Sequence, residues 1–126
     1  MKDVSAMNMH QLIEKIKQHP DYHRAGMILA HNGVVRQTSR DGRPVAGLRV
    51  SVDHGKLERL IEQKKRTAGI IEILVEIFDE KDLGVGDDVM LLVVAGDIRE
   101  TVIAVLGDTL NAIKTMVTQK TETFQE

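Results

Sequence analysis

Apolar residues recur at Met9, Leu12, Ile13 and Ile16, the i, i+3, i+4, i+7 spacing of one helix face. The segment from Ser5 to Gln18 is therefore predicted helical, and His19-Pro20 ends it. The run from Arg24 to His31 is short, apolar and bounded by turn formers, which predicts a buried strand. Asn32-Gly33 either turns the chain there or places a bulge inside a longer strand. Residues 37–44, QTSRDGRP, are the most polar and turn-rich stretch, and Asp41-Gly42 marks a loop. From Val45 to Asp53, Leu48, Val50 and Val52 alternate with Arg49, Ser51 and Asp53, the pattern of a half-exposed strand.

Gly55 to Thr67 carries Leu57, Leu60 and Ile61 on one stripe among charged residues and reads as a surface helix stopped by Gly69. IIEILVEIF then alternates again, with Ile71, Ile73, Val75 and Ile77 on one face and Glu72 and Glu76 on the other. The acidic, glycine-containing segment Asp79 to Asp88 reads as loop. VMLLVVA, from Val89, is apolar on both faces, so it predicts a central strand covered on both sides. The last segment, Arg99 to Val117, has Val102, Ile103, Val105, Leu106, Leu110, Ile113 and Val117 at helical spacing, interrupted only by Gly107. This order predicts a single α+β domain over residues 1–126, its helices packed on one mainly antiparallel sheet.

Composition narrows the function. With 42% hydrophobic residues in 126 the chain can build a real core, and disorder is excluded as its main state. A net charge of -2 gives no global attraction to nucleic acid, and the aromatics at 2% (Tyr22, Phe78, Phe124) leave few stacking platforms for single strands. No stretch approaches the roughly 20 apolar residues of a membrane span, and the N-terminus lacks an unbroken apolar signal region, so a soluble cytoplasmic protein is expected. Zero cysteines exclude a disulfide framework and a cysteine nucleophile; any sulfur chemistry must bring its sulfur from outside.

Five histidines invite a metal, but His19 and His23 flank the helix stop at Pro20, and His10, His31 and His54 lack a recognised ligand spacing. Surface or loop histidines are the simpler reading, and no metal site is expected. Nucleotide-binding glycine motifs and the serine elbow are absent as well. The cationic cluster Arg36, Arg40 and Arg43 is more informative, because guanidinium forks bind phosphate or carboxylate bidentately. It reads either as an anion grip or as the polar dressing of a solvent loop. Lys114, late on the last helix, and Lys120, just beyond it near Glu122, are candidate reactive amines if a shared cationic pocket lowers their pKa; otherwise they complement a helix C-terminus.

Ordered blocks carry a resemblance: the strand entering HNGVVR, LRVSVDH with the helix after it, LGVGDDVMLLVVAG, and IKTMVTQKTE. In this order, from about Ala25 to Glu122, they resemble the large, catalytic subunit of molybdopterin synthase, with residues 1–20 as a helical segment outside the resemblance. The resemblance implies an α/β-hammerhead-like fold, a homodimer, and a partner, the small ubiquitin-like sulfur carrier whose C-terminal Gly-Gly tail enters the active site. It implies that the carrier's thiocarboxylate delivers sulfur to cyclic pyranopterin monophosphate, two transfers giving the dithiolene of molybdopterin, with no cofactor of the protein's own. A sulfur-transfer enzyme without cysteine is coherent on that scheme.

Position by position, Lys114 and Lys120 match the family's two active-site lysines, with a spacer one residue shorter that lacks the family's Pro and aromatic residues. Arg36 matches the arginine of Gly-x-Val-Arg, and Arg99 that of a His-Arg pair in which Ile98 stands here for the histidine. The resemblance implies that Lys114 acts at the reacting carbon, that Lys120 binds substrate or assists proton transfer, and that Arg36 and Arg99 hold phosphate and pterin. The alternative reading is a non-catalytic relative that binds a phosphorylated small molecule or the carrier's tail. The catalytic reading requires Arg36, Arg99, Lys114 and Lys120 to converge, within one protomer or between neighbours.

Overall fold

A computed structural model describes residues 7–125; Ser5 and Ala6, at the start of the predicted first helix, lie outside the described residues. Helix α1 (Met9–Lys17) begins in a capping box, with the Asn8 side chain accepting from the Gln11 amide at 2.8 Å and the Gln11 side chain accepting from the Asn8 amide at 2.9 Å. Lys15 and Lys17 in its last turn suit the negative end of the helix dipole. Leu12 and Ile16 are buried and pack on Leu91, Val93 and Ala95.

Those three residues belong to one face of a strand buried on both sides. In chain order the strands are β1 (Met27–Val34), β2 (Val45–Val52), β3 (Ile70–Ile77), β4 (Leu83–Gly84), β5 (Asp88–Gly96) and β6 (Thr118–Phe124). β5 lies between antiparallel β1 and β3. Its alternate residues Leu92 and Val94 face the other way, with Ile73, and meet Val102 and Val105 of helix α3 (Arg99–Ala112). The two-faced apolar run predicts this central position, and the strand occupies it. At its end the backbone and α3 approach closely: a Cβ on Gly96 would lie 2.8 Å from Val102 Cγ2 and 2.8 Å from the Gly69 carbonyl oxygen, so only glycine fits.

Helix α2 (His54–Lys65) starts one residue earlier than its apolar stripe suggests, because Asp53 caps it by accepting from the Lys56 amide at 3.0 Å. Leu60 carries α2 into a core with Val45, Val50, Ile77, Leu83, Met90, Ile113 and Val117.

The structure departs from the expected single sheet. The α+β class stands, but the strands form two three-stranded antiparallel sheets, β1-β5-β3 and β4-β2-β6. Two strands lie where the sequence pattern predicts none. β4 is only two residues long, inside the acidic segment read as loop. β6 follows a helix that ends earlier than predicted: α3 stops at Ala112 and passes through a π turn, Ile113–Val117, directly into β6. Ile113 and Val117 are both buried, so the i, i+4 apolar spacing continues across the change and conceals it. β6 itself, TQKTETF, is exposed over most of its length and shows no apolar alternation; its backbone pairing with β2 and its three threonines make it a strand. Gly107 does not interrupt α3. Gly33 sits inside β1, next to the register shift between Gly33 and Val34, so the bulge alternative holds and the turn does not.

Truncating the α1 contact tests the first core. Ile16→Ala is expected to cost roughly 2–5 kcal/mol of unfolding free energy, the usual range for deleting a fully buried Ile side chain, measured by urea denaturation.

Candidate functional site

The two sheets meet at a cleft of about 790 Å³, within the range of small-molecule sites. Strand periodicity decides which side chains enter it. On β6, Lys120, Glu122 and Phe124 alternate onto one face and all line the cleft, as does Leu48, the β2 residue opposite Glu122. On β1, His31 and Gly33 share a face and line the opposite wall, with Met90 across from Gly33. Lys114 enters from the π turn between them: that turn buries Ile113 and Val117 and leaves Lys114 on its exposed side.

The rim is the loop between β1 and β2, and it is held rather than loose. Buried Val35 anchors its start, its amide donating to the Asp87 carbonyl at 2.9 Å while the Gly86 amide donates to the Val35 carbonyl at 2.9 Å. Ser39 organises the turn: its amide donates to the Arg43 carbonyl at 2.9 Å, its carbonyl accepts from the Gly42 amide at 3.0 Å, and its hydroxyl donates to Asp41. The same hydroxyl oxygen accepts from the Arg43 amide at 3.1 Å, and Ser39 is buried. That hydroxyl, more than any other group, holds the Asp41 carboxyl below the usual carboxylate range. Arg36 donates through Nε to the Thr38 carbonyl at 3.1 Å, which fixes its guanidinium at the rim.

Of the six candidate cations, Arg36, Arg40, Lys114 and Lys120 line this one cleft, against two carboxylates, Asp41 and Glu122. Arg43 does not line it. Its guanidinium lies 3.6 Å from the centroid of the Phe124 ring, clasping the rim loop to β6 from behind. Arg99 stands at the exposed start of α3, paired with Glu100 at 3.5 Å and outside the cleft of its own protomer. Ile98, just before it, is 56% exposed and also outside.

Ser39, Asp41 and His31 were not singled out by sequence spacing. His31, read from sequence as a surface or loop histidine, is half-buried in the cleft wall, and its pKa is lowered, first by burial and then by the charge of Lys114. The signal that locates it is the period of two that puts His31 on the same strand face as Gly33, in the strand that leads to Arg36. Among the described residues no group of three or more His, Cys, Asp or Glu is arranged to hold a metal ion, and no helix is long and apolar enough to cross a membrane.

The two-sheet α+β fold is shared with solved molybdopterin synthase structures. The molybdopterin synthase structure from Staphylococcus aureus aligns with TM-score 0.78 at 18% identity, covering 100% of this chain and 94% of that one. A complex of subunits 1 and 2 of molybdopterin-converting factor from Helicobacter pylori 26695 aligns with TM-score 0.72 at 16% identity, covering 95% and 81%. The molybdopterin biosynthesis MoaE protein from Burkholderia ambifaria MC40-6 aligns with TM-score 0.74 at 16% identity, covering 90% and 75%. A search of curated protein sequences finds no match. The family model described as MoaE protein matches residues 3–116, and the chain belongs to that family as a divergent member. Membership places it in molybdenum cofactor biosynthesis. The match includes α1 and Lys114 and ends before Lys120.

The clasp is testable apart from any ligand. Phe124→Leu removes the cation–π contact and is expected to cost about 0.5–1 kcal/mol, read by denaturation, with faster amide exchange at Ser39 and Arg43.

Proposed function

We propose that this cleft transfers sulfur from the thiocarboxylated tail of a small ubiquitin-like carrier protein to cyclic pyranopterin monophosphate, forming the molybdopterin dithiolene in two rounds. The observation that carries the reading is the convergence of Arg36 and Arg40, from the rim loop, with Lys114 and Lys120, from the last fifth of the chain, in one cleft of a protein without cysteine. Arg36 and Arg40 suit the substrate's phosphate, since charge-assisted guanidinium–phosphate bonds are strong and directional. The lysines line the same cleft.

In each round the thiocarboxylate sulfur takes the place of an oxygen substituent on a substrate carbon: the carbon–sulfur bond forms, the carbon–oxygen bond breaks with its electron pair going to the departing oxygen, which takes up a proton where it leaves as water, and the carrier is left joined to the substrate through an acyl–sulfur bond. Water then adds to the acyl carbon, the acyl–sulfur bond breaks, the sulfur stays on the pterin and the carrier leaves as a carboxylate. Lys114 stabilises the oxyanion that develops in these steps or moves a proton at the reacting carbon; Lys120 binds substrate or assists that proton transfer. The partner is supported by the Helicobacter pylori structure, a complex of two molybdopterin-converting factor subunits. A homodimer is part of the proposal: Arg99, outside the cleft of its own protomer, reaches a substrate only in the cleft of a second copy.

The purified chain, mixed with thiocarboxylated carrier and cyclic pyranopterin monophosphate, is expected to yield molybdopterin, and Lys114→Ala to lower the rate about 100-fold or more. Tight binding of the pterin phosphate with no product would instead make the chain a non-catalytic binding module. Light scattering at micromolar concentration is expected to give the mass of a dimer; a single monomer mass removes Arg99 from the site.

A further inference from the structure

We propose that His31 is the general base of this cleft, taking the proton from the water that cleaves the acyl–sulfur bond. The inference deepens the sulfur-transfer reading and rests on it.

Cleaving that bond adds water across it: oxygen joins the acyl carbon, sulfur departs with the bonding electron pair, and a proton leaves the attacking water. The group that receives this proton needs a free lone pair and a conjugate acid that forms near neutral pH, which an ordinary carboxylate's does not. Lys114, Lys120, Arg36 and Arg40 are cations in their ordinary state; Asp41 and Glu122 are carboxylates, and Asp41 is further engaged by the Ser39 hydroxyl. His31 is the one imidazole in the cleft wall. Its ring makes no hydrogen bond to any of the described residues, so both nitrogens are available to water and ligand. Burial and the neighbouring Lys114 charge keep it neutral where an ordinary imidazole begins to protonate.

Gly33 sets the position of the ring. A Cβ there would stand 3.3 Å from His31 Nε2 and 4.0 Å from Cε1, so the imidazole lies back over a residue that has no side chain to displace it. The charged groups that line the cleft with the ring are Lys114 in the π turn after α3, Lys120 and Glu122 on β6, and Arg36, Arg40 and Asp41 on the rim; of these Lys114 acts on its ionisation. β5, paired with β1, sets apolar Leu92 opposite His31 and Met90 opposite Gly33.

The test separates the base from the pocket. Adding inorganic pyrophosphate while following the His31 ring by NMR titration is expected to raise its pKa, because a bound anion stabilises the imidazolium. Saturable binding that leaves the His31 titration unmoved would overturn the assignment of His31 to the ligand space while sparing the anion grip. Absence of any binding would overturn the grip and this inference together.

In the sulfur-transfer assay, His31→Gln is expected to keep pyrophosphate affinity within about twofold and lower turnover roughly 100-fold, with loss of the acid-side fall in the rate profile. Gly33→Ala, which crowds the ring without removing it, is expected to fall between the two and to shift that limb. A His31→Gln protein with wild-type turnover and an unchanged profile would refute the base, whereas a wild-type chain that binds carrier and pterin and makes no product would refute the sulfur-transfer reading itself.

Discussion

The fold depends on burying β5 from both sides. Leu91, Val93 and Ala95 must be covered by one element and Leu92 and Val94 by another, and no surface strand could satisfy both rows. α1 closes one face and α3 the other, so the strand fixes where each helix lies. Because β1 is hydrogen-bonded along β5, it also fixes the line on which His31 and Gly33 stand, and because α3 is docked on Leu92 and Val94, it sets where that helix ends and where Lys114 is released. The wall of the cleft is thus a consequence of core packing in the first sheet.

The second wall obeys a weaker rule. β6 buries little and is held largely by its ladder to β2, with the Arg43–Phe124 contact clasping the rim against it. This difference explains what could be read from the sequence. Elements that bury one face or two announce themselves by period: α1 through Leu12 and Ile16, β2 through Val50 and Val52, and β5 through its unbroken apolar run. β6 does not, since a strand whose side chains are mostly in solvent carries no alternation to detect, and the buried pair Ile113 and Val117 imitates one more helical turn where the backbone is already leaving the helix.

The candidate site was legible to the same degree. Residue chemistry singles out Arg36, Arg40 and Arg43 as either an anion grip or the polar dressing of a loop, and the family resemblance supplies Lys114, Lys120 and Arg99; the structure brings Arg36, Arg40, Lys114 and Lys120 to one cleft. Arg43 has the right chemistry but turns to an aromatic ring some eighty residues away, a contact that no local pattern encodes. Arg99 shares its charge and not its place. A lone imidazole such as His31 has no informative neighbour in sequence; only the fold brings Lys114 near enough to change its ionisation.

The antiparallel ladder that runs from Val45 opposite Phe124 to Val52 opposite Thr118 has a consequence for biosynthesis. During translation the first sheet has its three strands and α1 once residue 96 has emerged and its second cover once α3 follows, yet the cleft lacks a wall until residues 118–124 have emerged. A nascent chain in which α3 has docked on β5 can therefore still present Arg36 and Arg40 on an open ledge without the β6 wall. The rim arginines and Lys120 come to face one another only when β6 pairs with β2, and no enclosed cleft exists before that ladder forms.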